Sequence, residues 1–314
     1  MQLRKMKWFH PLAHLLIILI GLTVASCGEP EEQPVLPQQT SLSVLTSFYP
    51  TTYWAEFLLD GAVPVRCLLP SDKAPSSWRP GREEIEQFNL ATLIVLNGAD
   101  FETWANRSNL APSRIVDTSE SFSEQHLQTK GMAHSHGAGG EHVHSQVDGH
   151  TWMDPQLARL QAKALSGAFL KAFPDHTQTL QANAAKLDSK FQLLGEAFQK
   201  LSPQLAKLTL YANHSTYDYP ARSYGWKGQN LNLNPAAPFY AWPPFGLSET
   251  GPCILLWEQQ PHDVAAKKLA EDFKVLSVFF DPCKHARKGE DYFERMHANL
   301  QRLESALQKL PAFE

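Results

Sequence analysis

A long basic run, an internal repeat with a period of about 20–50 residues, and the hydrolase motifs H-E-x-x-H and G-x-S-x-G are all missing from this chain of 314 residues. The apolar run at residues 15–25 covers about 16 Å at about 1.5 Å per residue, short of the roughly 30 Å of a hydrocarbon core. Charge is sparse at 19% and nets to −4. Arg4, Lys5 and Lys7 fall within the first 26 residues, which hold no acid, so the rest of the chain is more acidic still. Such a surface disfavours a phosphate backbone and suits a cationic ligand, and nucleic acid is not an expected partner. With 43% hydrophobic residues, 17 Gly and 22 Pro, a collagen, a wholly disordered chain and a multi-span membrane protein are excluded. What is left is a globular protein of one large domain or two ordinary ones.

Residues 1–26 join a basic start to the short apolar run, which reads as a signal peptide. The run ends in Val24-Ala25-Ser26-Cys27, which resembles the lipobox of bacterial lipoproteins and implies lipidation of Cys27. Residues 27–41 are then the lipidated Cys and a polar, Pro-rich tether. Expected is an exported lipoprotein anchored in a membrane, on the periplasmic side or the cell surface. Export permits a disulfide, but Cys67, Cys253 and Cys283 are odd in number and their pairing stays open.

From residue 42, strand candidates at 42–48, 63–69, 93–97 and 114–117 alternate with helical stretches at 52–59 and 81–88. A second series has strands at 208–212, 254–257 and 275–280 and a closing helix at 291–310. Strands alternating with helices argue for parallel βα units. Between the two series, Leu180, Ala184, Leu187, Phe191, Leu194, Phe198 and Leu201 follow one another at spacings of four and three, a single apolar stripe on one long helix. The expected fold is α/β, with an N-terminal lobe at 42–173, a linker helix at 174–202, a C-terminal lobe at 203–314 and a cleft between the lobes. The stretch 234–247 carries Pro235, Pro238, Pro243 and Pro244, which exclude a regular helix.

The segment 132–150 holds five of the 13 histidines on a Gly-rich backbone. The pairs His134/His136 and His142/His144 could wrap a metal ion, weakly and with fast exchange. His214 follows one strand candidate of the second series and Asp281 follows another. In open α/β sheets ligands sit beyond the carboxyl ends of strands, so these two can converge, with His150 facing them across the cleft.

The chain resembles the zinc- and manganese-type solute-binding lipoproteins that feed ABC importers. The match lies in LIVLNGADFETW at 93–104, in His150-Thr-Trp-Met-Asp-Pro155, in HSTYDYPARSYG at 214–225, and in Phe280-Asp281-Pro282 before the last helix. The resemblance implies two α/β lobes bridged by a long helix and one divalent ion in the cleft, with His150, His214 and Asp281 as ligands. The His-rich insertion favours Zn²⁺ over Mn²⁺. The family's first histidine is replaced by Ser76, a poor zinc ligand. A loop histidine (His142, His144, His134 or His136) or a water then completes the shell, or the ligand set has changed.

The expected function is delivery of Zn²⁺ to the permease of a metal ABC importer by a non-enzymatic, monomeric lipoprotein. Two alternatives stay open: a metal-buffering or adhesion lipoprotein with a degenerate cleft, and a zinc-dependent hydrolase using an open coordination position. For the hydrolase, Glu258 at the end of a strand is the one candidate base near the crevice, although it reads more simply as part of a turn, Glu258-Gln259-Gln260-Pro261.

Overall fold

The computed structural model describes residues 42–129, 146–231, 233, 253–261 and 263–310. The signal peptide and tether, the four histidines of the Gly-rich segment and the proline cluster at 234–247 lie outside them.

The first lobe runs β1 (Val44–Thr46), α1 (Tyr49–Leu59), β2 (Val65–Cys67), α2 (Arg82–Leu90), β3 (Leu93–Leu96) and β4 (Ile115–Asp117). Its sheet has the order β2-β1-β3-β4, every pair parallel. The central strands β1 and β3 are wholly buried, as apolar runs packed on both faces must be. A short antiparallel pair, β5 (Gln128–Thr129) and β6 (Gln146–Val147), brackets the His-rich segment and returns the chain just ahead of His150. Next comes α3 (Pro155–Ala172), started by Pro155 and capped by Asp154, whose carboxylate accepts from the Gln156 amide at 2.8 Å.

The long helix α4 (Thr177–Leu205) has 29 residues, about 43 Å of helix. Leu180, Leu187, Phe191, Leu194, Phe198 and Leu201 are buried along one side, as the sequence spacing predicts. The side chains of α4 share one continuous apolar core with both lobes, from Val44 and Trp54 in the first to Ile254 and Tyr292 in the second. The ring of Phe191 meets Trp54 at 5.6 Å and Phe293 at 4.9 Å, so one residue of the bridge packs on both.

The second lobe runs β7 (Thr209–Ala212), α5 (Asp218–Tyr224), β8 (Lys227–Asn230), β9 (Cys253–Trp257), α6 (Asp263–Phe273), β10 (Val275–Phe279) and α7 (Tyr292–Leu307). Its sheet order is β8-β7-β9-β10, again all parallel. Helix α7 opens with a capping box between Asp291 and Glu294. Six of these helices and strands have no counterpart in the sequence reading: β5, β6, α3, α5, β8 and α6. The strand β8 is the polar, exposed edge Lys-Gly-Gln-Asn, which offers no apolar alternation to detect.

The two sheets have the same topology. In each, the first strand is central and its successors lie on opposite sides, so the strand order reverses between β1 and β3 and again between β7 and β9. Such switch points open a crevice at the carboxyl ends of the two strands.

Candidate metal centre

At the second lobe's switch point the chain leaves β7 through Asn213-His214 and leaves β9 through Glu258. The Asn213 amide donates to the Leu256 carbonyl at 3.1 Å, and the Asn213 side-chain oxygen accepts from the Glu258 amide at 3.1 Å. These bonds tie the two strand ends together and set Glu258 beside His214, whose Nδ1 is 3.1 Å from Glu258 Oε1. His150 arrives from the other lobe, on the turn between β6 and α3. Its ring packs against Phe101, Trp152 and His214, with the His214 centroid at 5.5 Å.

Donor atoms of His150, His214 and Glu258 all lie within 4.8 Å of one another, the one such group of three among the described residues. Thr216, fully buried, stands inside the group. Its hydroxyl is 3.3 Å from His214 Nδ1 and 3.4 Å from His150 Nε2, and it donates to Glu258 Oε1. A single hydroxyl thus touches every donor.

Around these donors, the supporting contacts fix orientation. Asp148 Oδ1 accepts from both the backbone amide and the Nδ1 of His150, at 3.0 and 2.6 Å. That hydrogen bond puts the ring proton on Nδ1 and leaves the Nε2 lone pair facing the cluster. Burial lowers the His150 pKa against the upward pull of Asp148, so the imidazole stays neutral and able to donate. Asp148 is held in turn by Tyr219 of the second lobe, whose hydroxyl donates to the Asp148 carbonyl at 2.7 Å. On the other side Lys284 Nζ donates to Glu258 Oε2 at 2.6 Å. Burial by itself would raise the Glu258 pKa. The hydrogen bonds from His214, Lys284 and Thr216 and the Lys284 charge outweigh it and hold the carboxyl well below its usual range.

The carboxylate beside the histidines is therefore Glu258, and Asp281 stands elsewhere. Asp281 is buried, and its two oxygens are engaged by a bidentate Arg295 at 2.9 and 3.0 Å, by Arg287 at 3.0 Å and by the Cys283 amide at 2.9 Å. Its backbone is clamped by Asn299 in both directions. No lone pair is left pointing at His150 or His214. The reason is strand order: Asp281 follows β10, one strand beyond the switch point, and Glu258 follows β9 at it. Ser76 lies exposed in the turn between β2 and α2, where its carbonyl accepts from Arg79, and is not among the three clustered donors. His134, His136, His142 and His144 are outside the described residues. The thiols of Cys67, Cys253 and Cys283 are all free. Thr216 and Lys284 had no signal in the sequence, since neither residue type marks a metal site by itself.

Two parallel-sheet lobes joined by a long helix, with nitrogen and oxygen donors meeting where the lobes face each other, define a cleft-type solute-binding fold. The family model for the periplasmic zinc-uptake complex component A, ZnuA, matches residues 44–306, and the chain belongs to that family. It is 26% identical over 306 residues to the high-affinity zinc uptake system protein ZnuA of Bacillus subtilis, covering 91% of this chain and 94% of that one. It is also 22% identical over 316 residues to the zinc-binding lipoprotein AdcA of Streptococcus pneumoniae; that alignment takes in 96% of this chain and only 62% of AdcA. Among solved structures, the Zn(II)-bound ZnuA-like domain of Streptococcus pneumoniae AdcA superposes with a TM-score of 0.69 at 20% identity, over 86% of this chain and all of that domain. The metal-dependent lipoprotein YcdH of Bacillus subtilis superposes with a TM-score of 0.68 at 20% identity, over 86% of this chain and 99% of that one.

Proposed function

We propose that this chain binds Zn²⁺ as cargo between His150, His214 and Glu258 and delivers it to an ABC importer. The observation that carries the reading is the convergence of two imidazoles and one carboxylate within 4.8 Å, a nitrogen-rich donor set that suits zinc at about 2.0–2.2 Å per ligand. The family assignment and the zinc-binding relatives support the same cargo. The fourth position is taken by water or by a histidine of the Gly-rich segment, which directly precedes His150 in the sequence. Asp281 acts as a structural anchor and Ser76 has no part in the site. The protein acts outside the cytoplasm, held to a membrane by lipid at Cys27 through the tether, and catalyses no reaction.

Titration of the metal-stripped soluble form, residues 28–314, with Zn²⁺ against a competing chelator tests this. One tight site is expected, and His214→Ala should weaken it at least tenfold, about 1.4 kcal/mol. Only weak, multiple binding that survives His214→Ala would overturn the reading.

A further inference from the structure

Glu258 presents its two oxygens to different partners. Oε1 faces His214 and Thr216, whereas Oε2 accepts from the Lys284 ammonium at 2.6 Å. Both side chains of that pair are largely buried, at 19% and 15% exposed, so the contact is shielded from the screening that makes surface pairs weak. The lysine is also held in place by its own backbone. It ends the turn Asp281-Pro282-Cys283-Lys284, in which Cys283 takes a left-handed conformation with φ 55°. The turn is pinned at three points: Asp281 by Arg295, the Cys283 amide by Asp281, and the Pro282 carbonyl by the Trp152 indole at 2.7 Å.

We propose that Lys284 is a specificity-determining residue which caps Oε2 and makes Glu258 a one-oxygen ligand, so that the site favours four-coordinate Zn²⁺ over ions needing more oxygen donors. The inference rests on the reading of the cluster as the cargo site. A tetrahedral zinc takes one atom from each ligand, and Oε1 alone serves it. Manganese prefers an octahedral, oxygen-rich shell, and a carboxylate with both oxygens free can supply two of those positions. With Lys284 in place the second oxygen is withheld. The lysine charge also opposes any cation, but it opposes two divalent ions to the same extent and leaves their ratio alone. The cap acts on the ratio. Asp281 has a role in this device, because its arginine-locked carboxylate holds the turn that delivers the lysine.

The test compares the soluble form, Lys284→Met and Lys284→Arg, each stripped of metal and titrated separately with Zn²⁺ and Mn²⁺ against a competing chelator. In Lys284→Met the ratio of manganese to zinc dissociation constants should fall at least tenfold, and in Lys284→Arg, which keeps a capping cation, it should stay within threefold of the parent. Cobalt loading gives a second readout. The parent should show the strong visible bands of a four-coordinate ion, and Lys284→Met the weaker bands of a higher-coordinate one. If Lys284→Met shifts both metals by one common factor, or neither, and the cobalt bands are unchanged, the cap is overturned and the zinc site stands. If the parent itself takes up no zinc, the cluster reading fails and takes the cap with it.

Discussion

The two lobes share one strand order and treat the same crevice in opposite ways. In the first lobe the switch point between β1 and β3 is filled from within. Glu102, only 5% exposed, accepts from the Asn97 and Gly98 amides at 2.9 and 3.2 Å and from the Ser47 hydroxyl. In the second lobe the corresponding strand ends carry Asn213-His214 and Glu258, and one donor opens to solvent, the His214 side chain being 52% exposed against 15% for Glu258. Equivalent backbone bonds tie the two crevices: Ser47 to Val95 in one, Asn213 to Leu256 in the other. A switch point is thus a place where a fold collects polar strand ends. Whether it becomes a site depends on whether the chain supplies its own occupant.

The largest effect should come from setting Asp281 against Glu258. Asp281→Asn leaves the buried Arg295 without a full counter-charge and should cost about 3 kcal/mol of stability, read by urea unfolding, with zinc affinity changed less than threefold. Glu258→Gln should do the reverse: a hundredfold loss of zinc affinity or more, about 2.7 kcal/mol, and little change in unfolding. If Asp281→Asn abolishes binding in a folded protein, the two carboxylates have been assigned the wrong way round.

Glu102 supplies the next. Burial raises its carboxyl from 4.5 to about 7, against the pull of its donors. A carboxyl raised on folding is harmless below its unfolded pKa and costs stability as pH climbs through the folded value. Glu102→Gln should therefore gain on the parent between pH 4.5 and about 7, by at most about 3 kcal/mol at pH 8. A difference curve flat in pH would show that the first crevice is not held by a buried acid. The smallest effect belongs to Asp148. Asp148→Asn should weaken zinc binding about tenfold to a hundredfold by loosening the His150 ring, with His150 itself untouched; an unchanged affinity would remove Asp148 from the support of the site.

Much of this was readable from local pattern. The stripe from Leu180 to Leu201 shows as one helix because each residue's burial is decided by its own periodicity. His214 and His150 were singled out because a histidine after a strand, or one that opens a His-x-Trp-x-Asp-Pro element, is a short-range signal. β8 was not readable, because a polar edge strand is chosen by its neighbour's free hydrogen bonds and not by its own side chains. Glu258 was set aside as a turn residue, and Asp281 preferred, because both follow a strand and no spacing tells which strand lies at the switch point.

The sequence by itself determined two α/β halves, the long helix between them, and two histidines that stand together in the folded protein. Only the tertiary structure decided which carboxylate joins them, that Thr216 touches every donor, and that Lys284 takes one oxygen of Glu258. The physical reason is range. A helix or an apolar strand shows in the periodicity of its own few residues, whereas the cluster brings residues 150, 214 and 258 together through the lateral order of strands, which is set by how whole layers pack.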